Sequence, residues 1–317
     1  MATPIQILLS VYNGAKYLPE QQASLDAQQD APEWSLLWRD DGSSDGSASL
    51  LRDHPRATEL VDDTPHLGPA LSFLHLLAAA PGDAKAFAFC DQDDVWMPDK
   101  LARAWSWCSS QPSGYPALYF ARQKLVDAVL RPIGLSPEVR RPPSFKNALA
   151  QNIATGCTIM MNAAARQLVL SAPSPPIGSM HDWWTYLLVS GAGGAICADP
   201  YPALLYRQHD NNAVGVAASI LRRACGVIAR GPGNFIAIFD AHLAALSAAE
   251  SLLTPDANET VLRLHQLWSH PPLKRLLIFS IARVYRQGLL EDLVLRSFVL
   301  LGGSKSHTKL QSGEKSC

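Results

Sequence analysis

Apolar and polar positions along the first third of the chain switch between strand-like runs and helix-like spacing. Mostly apolar runs predict buried strands over residues 5–11, 34–38 and 86–90, with a short strand near Leu60 and Val61. Helical spacing predicts helices over residues 16–27, 47–53 and 69–80, the last with Leu71, Leu74 and Leu77 on one side. This order predicts an α/β fold, with a mostly parallel sheet and helices on both faces.

Polar residues follow three of the predicted strands at the point where each strand ends. They are Val11-Tyr12-Asn13, Asp40-Asp41 and Asp91-Gln92-Asp93-Asp94. Ligands of parallel sheets bind outside the carboxyl ends of the strands, so we expect these residues to line one pocket. Three carboxylates within four residues repel one another unless a cation lies among them, and carboxylate oxygens suit Mg²⁺ or Mn²⁺. The alternative is a solvated acidic turn before the next helix.

Composition indicates a globular protein with an uneven distribution of charge. The 317 residues are 48% hydrophobic, enough for one large domain and a smaller one. The net charge of −1 argues against a nucleic-acid-binding protein, yet from residue 211 onward 12 Lys and Arg stand against 7 Asp and Glu. A basic, apolar-rich C-terminal region would suit an enzyme at an anionic membrane surface.

Several classes of protein are excluded by missing motifs. The six scattered cysteines include no C-x-x-C pair, so neither a zinc site nor a disulfide framework is predicted, and a reducing cytoplasm fits. Residues 1–10 do not resemble a signal peptide. The sequence contains no run of 18 uncharged apolar residues, so a membrane-spanning helix is not predicted. P-loop, dinucleotide-binding and hydrolase signatures are missing as well. We therefore expect a cytoplasmic protein that holds a nucleotide through a metal on its diphosphate.

Three segments, in their order and spacing, resemble the family 2 glycosyltransferases of the GT-A (Rossmann-like) fold. They are residues 7–14 (ILLSVYNG), 39–46 (RDDGSSDG) and 90–96 (CDQDDVW). Residues 181–184 (HDWW) and 206–209 (YRQH), with Asn211 and Asn212, are similar to the bacterial rhamnosyltransferase-like branch. The resemblance covers residues 4 to about 215.

The resemblance implies a role for each matching position. Val11, Tyr12, Asn13 and either Asp40 or Asp41 would bind the pyrimidine and ribose of a nucleotide sugar. Asp91 and Asp93 would hold Mg²⁺ or Mn²⁺ on the donor diphosphate, with His209 reaching the metal or the diphosphate and Arg207 neutralising the leaving group. Asp182 would be the catalytic base, with His181, Trp183 and Trp184 around the acceptor.

Asp182 also has a physical argument of its own. Sugar transfer by direct displacement needs a base within hydrogen-bond reach of the acceptor hydroxyl. Flanking indoles from Trp183 and Trp184 would desolvate the carboxylate, which favours proton uptake, and indoles stack on sugar rings. The alternative role for Asp182 is the N-cap of a helix over residues 183–190.

We expect a GT-A domain over residues 1–212, with a nucleotide-sugar half over 1–114 and an acceptor half over 115–212. A helical, basic and apolar region would follow over 213–303, and a disordered tail over 304–317. Its cations are expected on one side of a helix: Lys274, Arg275, Arg283, Arg286 and Arg296. Peripheral contact with the inner face of the cytoplasmic membrane, packing on the catalytic domain and a dimer interface all stay open.

The expected activity is an inverting, metal-dependent transfer of a sugar to a hydroxyl of a cell-surface polysaccharide or lipid-linked oligosaccharide. The resemblance implies L-rhamnose, from a dTDP-L-rhamnose donor. Three alternatives stay open: a family 2 transferase that uses a UDP-hexose, a metal-dependent nucleotidyltransferase, and a non-catalytic module that binds sugar nucleotides.

Overall fold

The structure, a computed structural model, describes residues 4–62, 64, 66–208 and 220–302, with residues 220–232 as backbone only. Within these ranges, nine strands form one sheet: β1 (Ile5–Val11), β2 (Trp34–Asp40), β3 (Ala57–Glu59), β4 (Ala86–Cys90), β5 (Val95–Trp96), β6 (Ala117–Val126), β7 (Pro132–Leu135), β8 (Met160–Asn162) and β9 (Ala195–Arg207). The same ranges contain eleven α-helices: α1 (Leu18–Asp26), α2 (Ser47–Arg52), α3 (Gly68–Ala79), α4 (Lys100–Ser109), α5 (Phe145–Ala148), α6 (Ala163–Ser171), α7 (His181–Gly191), α8 (Ile220–Ala248), α9 (Pro255–His265), α10 (Pro272–Ile281) and α11 (Leu289–Leu301).

The sheet has a parallel half and a mixed half. Its order is β3-β2-β1-β4-β8-β6-β9-β5, with β7 beside β6. The first four strands run parallel, and β8 is antiparallel to both β4 and β6. Because β6 and β9 pair in parallel, most strands share one direction, as the sequence predicts.

Hydrophobic cores lie on both faces of the sheet because side chains alternate along the strands. On β1, Ile7 and Leu9 pack with α1, α2 and α4, whereas Leu8 packs on the opposite face with α3, α6 and α7. The predicted arrangement of helices on both faces is confirmed.

The predicted elements of the first third are present, with one short strand displaced. The strand expected near Leu60 lies earlier, at Ala57–Glu59. On α3 the buried residues are Ser72, Phe73, Leu76 and Leu77, whereas Leu71 is 43% exposed. Of the leucines predicted on one side of α3, Leu77 is buried and Leu71 is exposed, because Phe73, which lies edge-on to Phe89 of β4, is on the side that faces the sheet.

The C-terminal helices pack on the α/β sheet region, on the face of the sheet that carries α7. Phe239 and Leu243 of α8, Phe279 of α10 and Leu295 of α11 belong to the same core cluster as Trp184. The expectation that the tail cations share one side of a helix was wrong, because α10 and α11 are separate helices and Arg275 is buried. Among the described residues, no helix is long and apolar enough to cross a membrane. The predicted disordered tail over 304–317 lies outside the described residues.

Candidate active site

The register of the parallel strands brings the predicted site residues to one edge of the sheet. Val11 at the end of β1 pairs with Asp40 at the end of β2, and Leu9 pairs with Cys90 at the end of β4. The segments that follow these strands therefore lie side by side, as the sequence predicts. The N–H of Asp41 donates to the carbonyl of Val11 at 2.8 Å, which closes the first two strands at this edge.

Hydrogen bonds join the loop after β1 to the loop after β2. The Asn13 N–H donates to Ser43 Oγ at 2.9 Å, and Asn13 Oδ1 accepts from the Ser44 N–H at 2.8 Å. Ala15 N–H donates to Asp45 Oδ2 at 3.0 Å. Asn13, expected to bind the nucleotide sugar, thus uses its side-chain oxygen within the protein to shape the cleft.

Gln92 connects the loop after β1 to the acidic segment. Its Oε1 accepts from the Tyr12 N–H at 2.8 Å and its Nε2 donates to the Tyr12 carbonyl at 3.0 Å, so one amide pairs with the backbone as a neighbouring strand would. A Cβ on Gly14 would lie 2.5 Å from Gln92 Oε1, so any larger residue there would displace the Gln92 amide from the Tyr12 backbone. The Tyr12 ring is 51% exposed and lies 4.8 Å from the His66 ring, so its face is open to a ligand.

The two aspartates that end β2 have different surroundings. Asp41 is buried, forms an ion pair with Arg39, and accepts from the N–H groups of Leu67 and Gly68 at 2.8 and 2.9 Å. These contacts fix the start of α3 and occupy both carboxylate oxygens. Asp40 is only partly buried, and its Oδ1 accepts from the Ser43 N–H at 3.0 Å. Of the two predicted base-binding carboxylates, Asp40 is the one placed to meet a ligand.

The acidic segment forms a cluster under strong mutual repulsion. Ligand atoms of Asp91, Asp94 and Cys157 lie within 4.8 Å of one another. Burial, and then the charges of Asp93 and Asp182, raise the pKa of Asp91 to about 7. Burial, followed by the charges of Asp93 and Asp91, also raises the pKa of Asp94 well above its usual range. Within the described residues, Asp94 Oδ2 is buried and accepts no hydrogen bond.

This donor set fits a hard divalent cation. The carboxylates offer oxygen ligands, and a cation among them would offset both the repulsion and the unsatisfied Asp94 oxygen. Burial raises the pKa of Cys157 well above its usual range, so the thiol stays protonated and is a poor ligand. Sequence reasoning placed Asp91 and Asp93 at the metal; the structure adds Asp94 to the candidates.

Asp182 lies in the first turn of α7 and faces the acidic cluster. Its Oδ2 accepts from the Gly156 N–H at 2.9 Å, and the Asn152 side chain also bonds to the carboxylate. Burial raises the pKa of Asp182 to about 6, and its charge contributes to the raised pKa of Asp91, so the two carboxylates are close. The N-cap of α7 is Met180, so Asp182 is not the N-cap, although its Oδ1 accepts from the Trp183 N–H at 2.6 Å within the first turn.

Only one of the three predicted acceptor residues beside Asp182 reaches the surface. His181 is buried, with its ring centroid 4.2 Å from that of Phe73, and burial lowers its pKa to about 3. Trp184 is buried and stacks on His242 of α8. These two acceptor assignments are corrected, because α7 turns both rings into the core. Trp183 is partly exposed, and its indole N–H donates to the Ala148 carbonyl at 2.7 Å.

Arg207 is buried at the end of β9 and forms hydrogen bonds with the acidic segment at Asp93 and Asp94. Its Nε donates to the Asp93 carbonyl at 2.8 Å, Nη1 donates to the Ala128 carbonyl at 2.7 Å, and Nη2 pairs with Glu20. Its backbone N–H donates to Asp94 Oδ1 at 3.2 Å. The expected contact with the leaving group is therefore replaced by a positioning role. The predicted ligand His209, with Asn211 and Asn212, lies outside the described residues.

Sequence reasoning missed three groups that complete this site. Asn152 and Gly156 hold Asp182, while Cys157 lies beside the acidic cluster. Lys100, which the sequence offers as a phosphate contact or an exposed solvated lysine, also lies beside the cluster. Lys100 is buried with Nζ 3.2 Å from the centroid of the Trp96 ring, and burial lowers its pKa to about 8. The stretch Asn152 to Cys157, which combines amide, hydroxyl and glycine before a short strand, was the available signal.

Comparison with known proteins gives a consistent result. A family model described as glycosyl transferase family 2 matches residues 6–170. The dTDP-rhamnosyl transferase RfbG of Shigella flexneri is 24% identical over 231 residues, which cover 67% of this chain and 75% of that protein. The putative teichuronic acid biosynthesis glycosyltransferase TuaG of Bacillus subtilis is 28% identical over 106 residues, 31% of this chain and 39% of that protein.

A solved structure extends the likeness of fold beyond the matched domain. S. aureus TarS 1-349, in complex with UDP-GlcNAc, superposes with a TM-score of 0.54 at 14% sequence identity. The superposition covers 93% of this chain and 90% of that chain. The shared fold therefore includes the strand-end cleft and the C-terminal helices.

Proposed function

The chain belongs to glycosyl transferase family 2, and from that premise we propose that it transfers a sugar from a nucleoside diphosphate donor to a hydroxyl acceptor, with inversion at the anomeric carbon. The observation that carries the proposal is that a candidate base and a candidate metal site lie next to each other at one edge of the sheet. A carboxylate with raised pKa, Asp182, stands next to the acidic cluster of Asp91 and Asp94.

The donor nucleotide would lie across the ends of β1 and β2. Asp40 would accept the imide N–H of a pyrimidine, and the exposed face of Tyr12 would contact the base or ribose. Val11 and the backbone of Asn13 would shape the floor of this pocket. Asp41 would act indirectly, by holding the loop through Arg39 and the start of α3.

Asp91 and Asp93, with Asp94 behind them, would hold Mg²⁺ or Mn²⁺. When bound, such a cation neutralises charge on a diphosphate leaving group. Arg207 and Gln92 would keep the carboxylates in place, because they bond to the Asp93 carbonyl and to the Tyr12 backbone.

Asp182 would take the proton of the acceptor hydroxyl. The hydroxyl oxygen bonds to the anomeric carbon, the bond from that carbon to the diphosphate oxygen breaks, and the proton ends on the carboxylate. Gly156 and Asn152 would orient the carboxylate, and the partly exposed Trp183 would contact the acceptor sugar. A carboxylate with a pKa near 6 is both deprotonated at neutral pH and basic enough to accept a proton.

We propose L-rhamnose from dTDP-L-rhamnose as the donor sugar, supported by the similarity to RfbG over 67% of this chain. The acceptor would be a cell-surface polysaccharide or a lipid-linked oligosaccharide, with the enzyme in the cytoplasm. Residues 1–212 would form the catalytic domain and residues 213–303 a helical region that can contact the membrane.

A donor panel tests the proposal. The purified chain is incubated with dTDP-L-rhamnose, UDP-glucose and UDP-GlcNAc in the presence of Mn²⁺, and released nucleoside diphosphate is measured. We expect turnover of dTDP-L-rhamnose above the others. Preferred turnover of a UDP-hexose would replace the sugar assignment. Release of pyrophosphate, or unchanged turnover in Asp182→Asn, would contradict the transferase mechanism itself.

A further inference from the structure

A cationic cavity of about 380 Å³ lies where α10 and α11 meet the segment before α5. Its lining includes four positive and no acidic side chains: Arg141, Lys146, Arg283 and Arg296, with Ser280 and Tyr285 beside them. Sugar transfer as described above uses none of these groups. Lys146 pairs with Asp256 at 3.2 Å and Arg296 with Asp292 at 3.0 Å, so Arg141 and Arg283 are the two cations of the cavity that form no ion pair within the described residues. These two charges favour an anionic ligand, because an anion between them removes their mutual repulsion.

Two of the arginines are held in place by neighbouring side chains. The Arg141 guanidinium lies 3.7 Å from the centroid of the Tyr285 ring, and the Tyr285 hydroxyl donates to the Pro142 carbonyl at 2.6 Å. Arg296 donates to Ser280 Oγ at 2.9 Å and pairs with Asp292 at 3.0 Å. The cavity is thus ordered before any ligand binds, which lowers the entropic cost of binding.

Arg283 occupies a position where glycine is usual. It directly follows Ala282, the C-cap of α10, and has a φ of 55°. Glycine adopts this left-handed conformation without strain, whereas arginine does so at an energetic cost. Arg283 is exposed, and within the described residues it forms no ion pair. A strained residue that carries an unneutralised charge indicates a binding role.

An apolar surface adjoins the cavity. On α10, Leu273, Leu277 and Ile281 lie on successive turns and are 78%, 59% and 52% exposed. Leu289 and Leu293 of α11 are also exposed, at 82% and 63%. Because Ser280 and Arg283 flank Ile281, the exposed apolar face of α10 leads directly to the cations. An anionic group beside an apolar surface matches the chemistry of a phospholipid.

We propose that this cavity binds the phosphate of an anionic phospholipid, while the exposed leucines of α10 and α11 enter the headgroup layer of the same bilayer. A second copy of the chain fits less well, because a two-fold contact would bring the cationic cavity against itself. This binding site adds a membrane contact to the proposed function, and its purpose depends on that function. Lys146 lies in α5, whose Ala148 accepts from Trp183, so the bilayer would lie on the acceptor side of Asp182.

Vesicle sedimentation tests the proposal without any nucleotide sugar. The full chain is mixed with vesicles of phosphatidylcholine, or of phosphatidylcholine with phosphatidylglycerol, at low and high salt. We expect binding only to the anionic vesicles, weakened by salt. Removal of one cation, by Arg283→Gly or Lys146→Gln, is expected to lower the partition coefficient about fivefold. Arg52→Gln, which removes an exposed cation on α2, is the matched control and should bind as the wild type does.

Folding defects are separated from binding defects by the thermal midpoint. Arg283→Gly should melt at or above the wild-type temperature, because glycine suits a φ of 55°. Leu277→Asn should weaken vesicle binding, whereas Ile177→Asn, at a fully exposed loop position, should not.

Three results would overturn the site. The first is equal sedimentation of the wild type and Arg283→Gly with anionic vesicles. The second is binding of inorganic phosphate by a chain that does not bind anionic vesicles. The third is a chain that does not bind vesicles but forms a dimer, which Leu277→Asn dissociates. Donor turnover is measured separately, so loss of vesicle binding leaves the transferase proposal intact, and the reverse also holds.

Discussion

The two neighbouring aspartates at the end of β2 have different roles: one stabilises the fold, and the other is available to a ligand. Asp41 is surrounded by donors from Arg39, Leu67 and Gly68, and Asp40 is left at the cleft. Removing one partner of a buried ion pair leaves an uncompensated charge, whereas a partly exposed carboxylate can be replaced with little structural cost. The two positions should therefore separate stability from donor binding.

We expect Asp41→Asn to lower the free energy of unfolding by about 2 kcal/mol, because it removes one of the two carboxylates that pair with the buried Arg39 and leaves only Asp62. Asp40→Asn should change it by less than about 1 kcal/mol and weaken binding of the donor nucleotide roughly tenfold. Urea denaturation and a calorimetric titration with dTDP measure the two quantities. The opposite assignment, with Asp40→Asn unstable and Asp41→Asn deficient only in binding, would contradict the division of roles.

Asp182 should set the acid limb of the pH profile. The base works deprotonated, and burial raises its pKa to about 6, so turnover should rise with pH through about pH 6 and then level. Asp182→Asn should lower turnover by a factor of about 10² to 10⁴ and remove that limb. Asp53→Asn, an exposed carboxylate on the same domain, is the control.

Stability should respond to Asp182 in the opposite direction. Because folding raises the pKa of this carboxyl above 3.8, the folded state binds the proton more tightly than the unfolded state. The stabilisation by protonation is present below pH 3.8 and is lost as the pH rises through about 6. At pH 8 the thermal midpoint of Asp182→Asn should accordingly be no lower than that of the wild type. A clearly lower midpoint would indicate that Asp182 is chiefly structural.

At the scale of single elements, α3 shows where sequence periodicity is ambiguous. Leucines at 71, 74 and 77 share one side of the helix, yet Leu77 is buried and Leu71 is exposed. Phe73 and Leu76, which do not belong to that repeat, are buried as well. The two faces differ by a small rotation, and contacts with β4 and α7 decide between them. Those contacts come from residues far away in the chain.

The rotation of α3 can be measured directly. Leu76→Ala should destabilise the protein by about 2–5 kcal/mol, because it leaves a cavity in the core. Leu71→Ala, the matched substitution on the exposed side, should cost less than about 1 kcal/mol. Urea denaturation with a common slope compares the two variants. Equal losses would mean that both leucines are buried.

Strands were predictable where local sequence alone determines them, and the site was predictable only in part. The run 5–11 is apolar at all positions except Gln6 and Ser10, so β1 follows from its own residues. The strand-end position of Asp40 and Asp91 followed from the parallel order. In contrast, the bond from Gly156 to Asp182 joins residues 26 positions apart, and Arg207 is buried only because three distant segments supply acceptors. Local pattern carries no information about such contacts.

At the scale of the whole molecule, the core cluster does not stop at the expected domain boundary. Trp184 of α7 stacks on His242 of α8, and Phe239, Phe279 and Leu295 continue the same cluster. Interfaces between separate domains are usually smaller and more polar than this. The catalytic body and the C-terminal helices should therefore unfold together.

Scanning calorimetry should show one cooperative transition for the full chain, with equal calorimetric and van't Hoff enthalpies. Phe279→Ala in α10 should lower its free energy of unfolding by about 3–5 kcal/mol, because the ring is fully buried. The fluorescence of tryptophans in the catalytic body, such as Trp38, should report the same midpoint. Two transitions, of which Phe279→Ala moves only one, would indicate independent units.

The paired hydrogen bonds of Gln92 have a thermodynamic consequence. One side-chain amide belongs to the acidic segment and at the same time braces the backbone of Tyr12. A ligand that orders one of these two loops also orders the other through Gln92. Binding in one half of the cleft must therefore raise the affinity of the other half for its own ligand, and by the same factor in both directions. Shortening the Gln92 side chain would then uncouple the two halves of the cleft. Each half could still bind its ligand, but the two binding equilibria would become independent.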